Sequence, residues 1–356
     1  MHRLSELGWN RFFEDQLESG SHSGLTPARV AAAIREQYRL VSEQGEKWAG
    51  LAGRLHWDQA FRPPVVGDWV LADWSCGPRA RIERILSART QFSRKAAGTK
   101  VYEQVLVANV DVAFLVTSLT GDFNLRRMER YLAVTWESGA LPAVVLNKSD
   151  LSKETEDRRT AAESVAVGVP ILVTSAVSGD GIEQLRGWLR PGETGALLGS
   201  SGVGKSALIN AMLGRESRRV RPVRARDGRG QHTTSSGELL LLPGGGMLID
   251  TPGLRELQLW DSKDGIEAVF EDVLSLAMRC RFRDCRHAGE PDCAVMQARE
   301  DGTLDPRRLE SYRKLERERE FSESQRDPAA RAARLRKFKQ ITREHRRLYK
   351  NRGEPS

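Results

Sequence analysis

Ala196-Leu197-Leu198-Gly199-Ser200-Ser201-Gly202-Val203-Gly204-Lys205-Ser206 runs from an apolar strand through a glycine-rich turn into the helical stretch Ala207–Leu213. The turn matches the pattern GxxxxGK[ST], and strand before with helix after is the context in which that pattern cradles phosphate. Glycines at 199, 202 and 204 let successive backbone N–H groups turn inward, and the helix N-terminus adds partial positive charge. In such a loop Lys205 reaches the β- and γ-phosphates and the Ser206 hydroxyl holds Mg²⁺. Ser200, Ser201 and Val203 complete the expected phosphate site.

Upstream, Asn147-Lys148-Ser149-Asp150 follows the apolar run Ala143–Leu146. A carboxylate at Asp150 accepts two hydrogen bonds, from the ring N–H and exocyclic amine of guanine. Adenine offers no such donor pair, and an unpaired buried carboxylate is costly, so an ATP-dependent enzyme is disfavoured. Asn147, Lys148 and Ser149 would brace the loop and pack the base. Ser175-Ala176, after Ile171–Val173, would add backbone contacts to the guanine. Asp250-Thr251-Pro252-Gly253, after Met247–Ile249, supplies an acidic strand end for Mg²⁺ (through water), with Gly253 beside the γ-phosphate. Between these lie His232-Thr233-Thr234, where a threonine closing on Mg²⁺ and the γ-phosphate makes a nucleotide-dependent switch. GTPases ordinarily run phosphate loop, switch threonine, DxxG, NKxD, SA. Here the order is Asn147–Asp150, Ser175-Ala176, Gly199–Ser206, Thr233-Thr234, Asp250–Gly253, a circular permutation of the same cycle. The surface termini of a layered domain permit that rearrangement.

The rest of the chain frames this α/β region. Of its 356 residues 39% are hydrophobic and 29% charged, which excludes a disordered chain and fits two or three domains. No apolar run is long enough for a bilayer, and the N-terminus lacks a signal-peptide pattern. Four cysteines do not make a disulfide scaffold, so a cytoplasmic, reduced protein without membrane attachment is expected. Segments Tyr38–Val41, Trp48–Leu55, Asp68–Ala72 and Ala80–Leu86, separated by turn residues, predict a small barrel of the OB type, a fold that often binds oligonucleotides. Before them stand Leu7–Phe13 and an expected helix over Thr26–Tyr38, together an N-terminal extension without assigned chemistry. Cys76 is expected to be a core thiol. Beyond Gly253 the pattern turns helical and charged around Cys280, Cys285, His287 and Cys293, a closed set of three thiolates and one imidazole suited to structural zinc. Residues 307–356 hold 17 Lys and Arg against 8 Asp and Glu, so the net charge of +8 gathers there as a footprint for nucleic acid.

The permuted motif order, the preceding barrel and the Cys-Cys-His-Cys cluster together resemble the ribosome small-subunit-dependent GTPase A family. The likeness spans roughly residues 35–320. It implies an N-terminal OB-type barrel (35–97), a central circularly permuted α/β P-loop GTPase domain (98–260) and a C-terminal helical zinc-binding domain (261–328), flanked in this sequence by a long N-terminal extension (1–34) and a basic tail (329–356). It implies a protein that hydrolyses GTP to GDP with Mg²⁺, carries one structural Zn²⁺, and binds the small ribosomal subunit and its rRNA during late subunit maturation; a monomer is expected. The subunit would stimulate hydrolysis. The alternative is an RNA-binding assembly factor that uses GTP as a conformational ligand. Leu254 stands where many GTPases carry the glutamine that orients water. His232 is the internal candidate for that task, as a histidine in this loop is in the family, with Thr234 and Gly253 completing the expected catalytic set.

Overall fold

The computed structural model describes residues 2–17, 24–57, 62–95, 103–214, 237–251, 254 and 263–326. The expected switch residues His232, Thr233 and Thr234, the glycine at 253 and the tail 329–356 lie outside the described residues. Two compact units are present. One comprises residues 1–93 and 105–257, the other residues 94–104 and 258–356.

The first unit begins with a closed barrel of β1 (Thr26–Ile34), β2 (Gln37–Ser42), β3 (Gly45–Leu51), β4 (Trp69–Asp73) and β5 (Ala80–Ile85). Its order is β1-β2-β3-β5-β4, closed by β1 against β4, with β3 and β5 parallel. This is the OB arrangement expected. The helix expected over Thr26–Tyr38 is instead β1, a two-residue turn and the start of β2. Arg35 and Glu36 at that turn have φ of 46° and 63°, the left-handed pair that a tight hairpin requires. Arg29-Val30-Ala31-Ala32-Ala33 has helical propensity, but β1 pairs with β2 and β4, and Ala28 and Val30 fill the barrel core with Leu40, Val70 and Ile82. Pairing along both edges overrides local preference. The expected strand Trp48–Leu55 begins earlier and ends earlier, as β3 over Gly45–Leu51, and a 3-10 turn over Gly53–Trp57 takes over.

The N-terminal segment is part of this barrel. Leu7 and Phe13 are buried, and the Trp9 ring stands edge-on to Trp69 with centroids 4.8 Å apart. The guanidinium of Arg29, buried beneath it, donates to the carbonyls of Leu7, Gly67 and Asn109. Cys76, in contrast to expectation, is exposed, its Sγ 3.0 Å from Asp73 Oδ2. It sits in the turn between β4 and β5, where a side chain cannot reach the core.

Two short strands, β6 (Gln91–Lys95) and β7 (Glu103–Ala108), form a separate pair. The α/β layer follows with β8 (Val112–Ser118), β9 (Leu141–Asn147), β10 (Ile171–Thr174), β11 (Thr194–Leu198), β12 (Glu238–Leu241) and β13 (Met247–Asp250). Their order is β10-β9-β8-β11-β13-β12, parallel except for β12. Parallel strands in a layered domain read as continuous apolar runs, which is why Val112–Val116 is legible in the sequence along with Ala143–Leu146, Ile171–Val173, Ala196–Leu198 and Met247–Ile249. Helices α2 (Leu125–Ser138), α3 (Thr155–Glu163), α4 (Ile182–Gly187) and α5 (Lys205–Leu213) accompany the sheet; α1 is the short turn Arg11–Glu14 near the N-terminus. Phe114, Val145, Leu185, Leu197, Leu208 and Met212 form the core on one side of the sheet. Because β8, β9, β10, β11 and β13 run the same way, their carboxyl ends open along one edge, the usual ligand side of such a layer. β12 also meets β1, with Ala32 opposite Glu238, and Glu238 pairs with Arg39 of β2 at 2.8 Å.

In the second unit α6 (Lys263–Val269), α7 (Glu271–Ala277), α8 (Ala294–Glu300) and α9 (Pro306–Arg326) bury Ile266, Phe270, Val273, Val295, Leu309 and Leu315. Arg308 fastens α9 to α7, donating to both carboxylate oxygens of Asp272 while lying over the Phe270 ring. No helix among the described residues is long and apolar enough to cross a membrane.

Candidate nucleotide site and candidate metal centre

Every described residue of the predicted nucleotide site lies at the carboxyl edge of the parallel strands. Gly199–Gly204 link β11 to α5, with Val203 buried beneath and Ser201 and Gly202 exposed. The glycines are required at two close approaches. A Cβ on Gly204 would lie 2.3 Å from Asn147 Nδ2, and one on Gly199 would lie 2.3 Å from the Val116 carbonyl oxygen; both positions also have φ beyond +100°. Lys205, the first residue of α5, is buried with Nζ 2.6 Å from the Gly199 oxygen and 2.5 Å from the Ser200 oxygen. Its ammonium therefore sits inside the curl of the loop. Ser206 follows on the first turn of α5. Asp250 ends β13, which runs parallel to β11 with Ile249 opposite Ala196. The adjacent strands thus bring two oxygen donors, Ser206 and Asp250, to one edge, a hard-oxygen set of the kind Mg²⁺ takes.

The other loops are tied to the phosphate loop by side chains. Asn147, buried at the end of β9, donates from Nδ2 to the Val203 oxygen at 2.8 Å. Its Oδ1 accepts from the backbone N–H of Ala176 and the hydroxyl of Thr174, both at 3.3 Å. One amide therefore stitches the ends of β9, β10 and β11. Lys148 adopts the left-handed conformation (φ 67°) and sends Nζ across to the Gly202 oxygen at 2.7 Å. Ser149 opens a 3-10 turn, and Asp150 in that turn accepts from the Ser175 hydroxyl at 2.6 Å. Ser175 also accepts from the N–H groups of Val177 and Ser178, so the Asp150 carboxylate is fixed by a hydroxyl that is itself fixed. Sequence reading had missed Thr174 and Asp122. Asp122, between β8 and α2, accepts from the Ser200 hydroxyl, and no spacing rule connects positions so far apart.

The metal-ligating set in the second unit is also assembled. The donor atoms of Cys280, Cys285, His287 and Cys293 all lie within 4.8 Å of one another. Cys280 Sγ is 3.8 Å from Cys293 Sγ, and His287 Nδ1 is 3.6 Å from the first and 3.5 Å from the second. Tetrahedral zinc with ordinary bond lengths requires about 3.8 Å between sulfurs and about 3.6 Å from sulfur to nitrogen. The donor set fits one zinc ion. His287 takes a left-handed turn (φ 58°) to aim its ring inward, and burial holds its pKa below the ordinary value, favouring the neutral imidazole that binds metal. The Glu290 carboxylate braces the loop, accepting from the N–H groups of Arg286 and Ala288.

Comparison with known proteins agrees with this architecture. The family pattern described as RsgA GTPase matches residues 85–260. The chain is 44% identical to the small ribosomal subunit biogenesis GTPase RsgA of Syntrophotalea carbinolica, over 99% of each chain. It is 46% identical to the protein of the same name from Opitutus terrae, over 95% of each. Among solved structures, YjeQ from Thermotoga maritima superposes with a TM-score of 0.62 at 26% identity, covering 83% of this chain and 98% of that one. YloQ, a circularly permuted GTPase, shares the fold with a TM-score of 0.59 at 23% identity, over 84% of this chain and 96% of its own. With the permuted phosphate and base loops on one strand edge and near-complete coverage of these relatives, the chain belongs to the RsgA GTPase family and is a GTP hydrolase.

Proposed function

We propose that this GTPase acts in biogenesis of the small ribosomal subunit, binding the subunit and its rRNA during late maturation, and that the subunit stimulates its hydrolysis of GTP. The observation that carries the nucleotide part is the Asn147 amide, which joins the base loop, the Ser175-Ala176 loop and the phosphate loop into one frame. Curated relatives named for small-subunit biogenesis supply the partner.

In this reading Asp150 accepts from the guanine ring N–H and amine, Asn147, Lys148 and Ser149 hold the base loop, and Ser175 and Ala176 border the base. The N–H groups of Gly199–Ser206 surround the phosphates, and Lys205 turns its ammonium to the β- and γ-phosphates. Ser206, Asp250, Thr233 and Thr234 would hold Mg²⁺, which neutralises charge on the phosphates when bound. Cys280, Cys285, His287 and Cys293 would hold one Zn²⁺, which fastens the loop ahead of α8. Leu254 is buried and carries no hydrogen-bonding group, so it cannot orient the attacking water. His232, Thr234 and Gly253 are assigned to the catalytic step, with His232 orienting the water on the subunit.

Single-turnover hydrolysis with and without small subunits tests this reading. Hydrolysis by the free protein should be slow and strongly accelerated by subunits, and His232→Ala should remove most of that gain while GTP affinity stays nearly intact. Subunit binding without any acceleration would favour the use of GTP as a conformational ligand. Full stimulation of His232→Ala would move the water-positioning group to the ribosome.

A further inference from the structure

The loop from β8 to α2 meets the phosphate loop through one carboxylate. Asp122 Oδ2 accepts from the Ser200 hydroxyl, and Asp122 Oδ1 accepts from Arg127 Nη1 at 2.6 Å. Arg127 lies in the first turn of α2, and its backbone N–H is capped by the Asn124 side chain at 3.0 Å. The same loop is held from two other directions. Leu119 N–H donates to the Asn147 carbonyl at 2.8 Å, and the Thr120 carbonyl accepts from Arg158 of α3 at 2.9 Å. Asp122 is thus carried by a braced segment and reaches 78 residues along the chain to the phosphate loop. The Ser200 carbonyl, in turn, receives the Lys205 ammonium together with that of Gly199.

We propose that Asp122 is a positioning residue for the phosphate loop: by holding the Ser200 side chain it fixes the Ser200 peptide, and so the seat from which Lys205 reaches the phosphates. Arg127 completes the device. It balances the carboxylate, so that a negative charge can stand beside a phosphate-binding loop, and it fixes the carboxylate's orientation through the second oxygen. Positioning through a hydroxyl leaves the loop's own N–H groups available for phosphate. The inference rests on the guanine-nucleotide reading of the site.

Titration of GDP with Mg²⁺ against a double-mutant cycle tests it. Asp122→Ala and Ser200→Ala should each weaken GDP about tenfold, the loss of one charge-assisted hydrogen bond. The double variant should be no weaker than either single one, and Ser200→Thr, which keeps the hydroxyl, should bind nearly as the wild type. In a Lys205→Met background, Asp122→Ala should change GDP affinity less than about twofold, because the group it positions is gone. A purely structural carboxylate would give losses that add in both backgrounds, and that result, or an unchanged affinity in Asp122→Ala, would overturn the assignment. Should Asp122→Ala fail to fold, Asp122→Asn replaces it in the same cycles and must show the same loss of effect when Ser200 is alanine. Failure of the wild-type chain to bind GDP would instead overturn the guanine-nucleotide reading itself.

Discussion

At the scale of single residues, the proposed base pocket turns on the chemistry of one carboxylate. Asp150 is held by Ser175, so its replacement alters the group presented to a base without releasing the loop. Asp150→Asn places an amide donor against guanine's donors, and xanthine, with a carbonyl there, becomes the better partner. GTP affinity should fall by more than tenfold and xanthosine triphosphate should gain, as competition binding would record. Equal affinity for GTP in the variant would remove Asp150 from the pocket. Residues such as Gly199–Ser206 and Asn147–Asp150 were legible because their chemistry is compressed into contiguous positions. Arg29 and Asp122 were not. Each takes its role from backbone or hydroxyl groups brought from distant parts of the chain, and a buried arginine serving three carbonyls leaves no local pattern.

At the scale of elements, the parallel strands were readable and β1 was not, for opposite reasons. Strands β8, β9 and β11 are buried on both faces, and burial writes an apolar run that nothing else in a soluble domain explains. β1 is rich in alanine, which carries a helical preference that pairing with β2 and β4 defeats. The loop from Cys280 to Cys293 is the element that the proposed zinc would hold. Cys280 and Cys293 flank a segment with little regular structure, closed on one side by Arg281 with Asp292 at 2.9 Å. Cys285→Ala leaves three donors, so zinc should fall from about one per chain toward zero, and the helices around α8 should lose protection from hydrogen exchange. Nucleotide binding should persist, since the nucleotide site lies in the other compact unit. Metal analysis of the purified wild type near zero would dismiss zinc as the resident ion.

For the whole molecule, charge and connectivity make separate contributions. Residues 329–356 contain ten Lys and Arg against two Asp and Glu, while the body of the chain is nearly neutral. Each cation placed on a phosphate releases counterions, so affinity for small subunits should drop steeply with salt and removal of 329–356 should flatten that slope. Sedimentation at several salt concentrations would show it, and an unchanged slope would assign the ribosomal contacts to other surfaces.

The pairing of β12 with β1 has a further effect on the α/β layer. β1 meets β12 at one register pair, Ala32 with Glu238; without it β12, short and apolar at Leu239–Leu241, would be the last strand of the sheet and bare along its whole outer side. The barrel therefore works as a guard against misassociation, and the ion pair of Arg39 with Glu238 pins that guard in place. A chain shortened to begin at residue 105 should keep its phosphate and base loops yet self-associate through the bared strand. Light scattering would reveal this, and placing a lysine at the exposed Leu241 should partly restore the monomer.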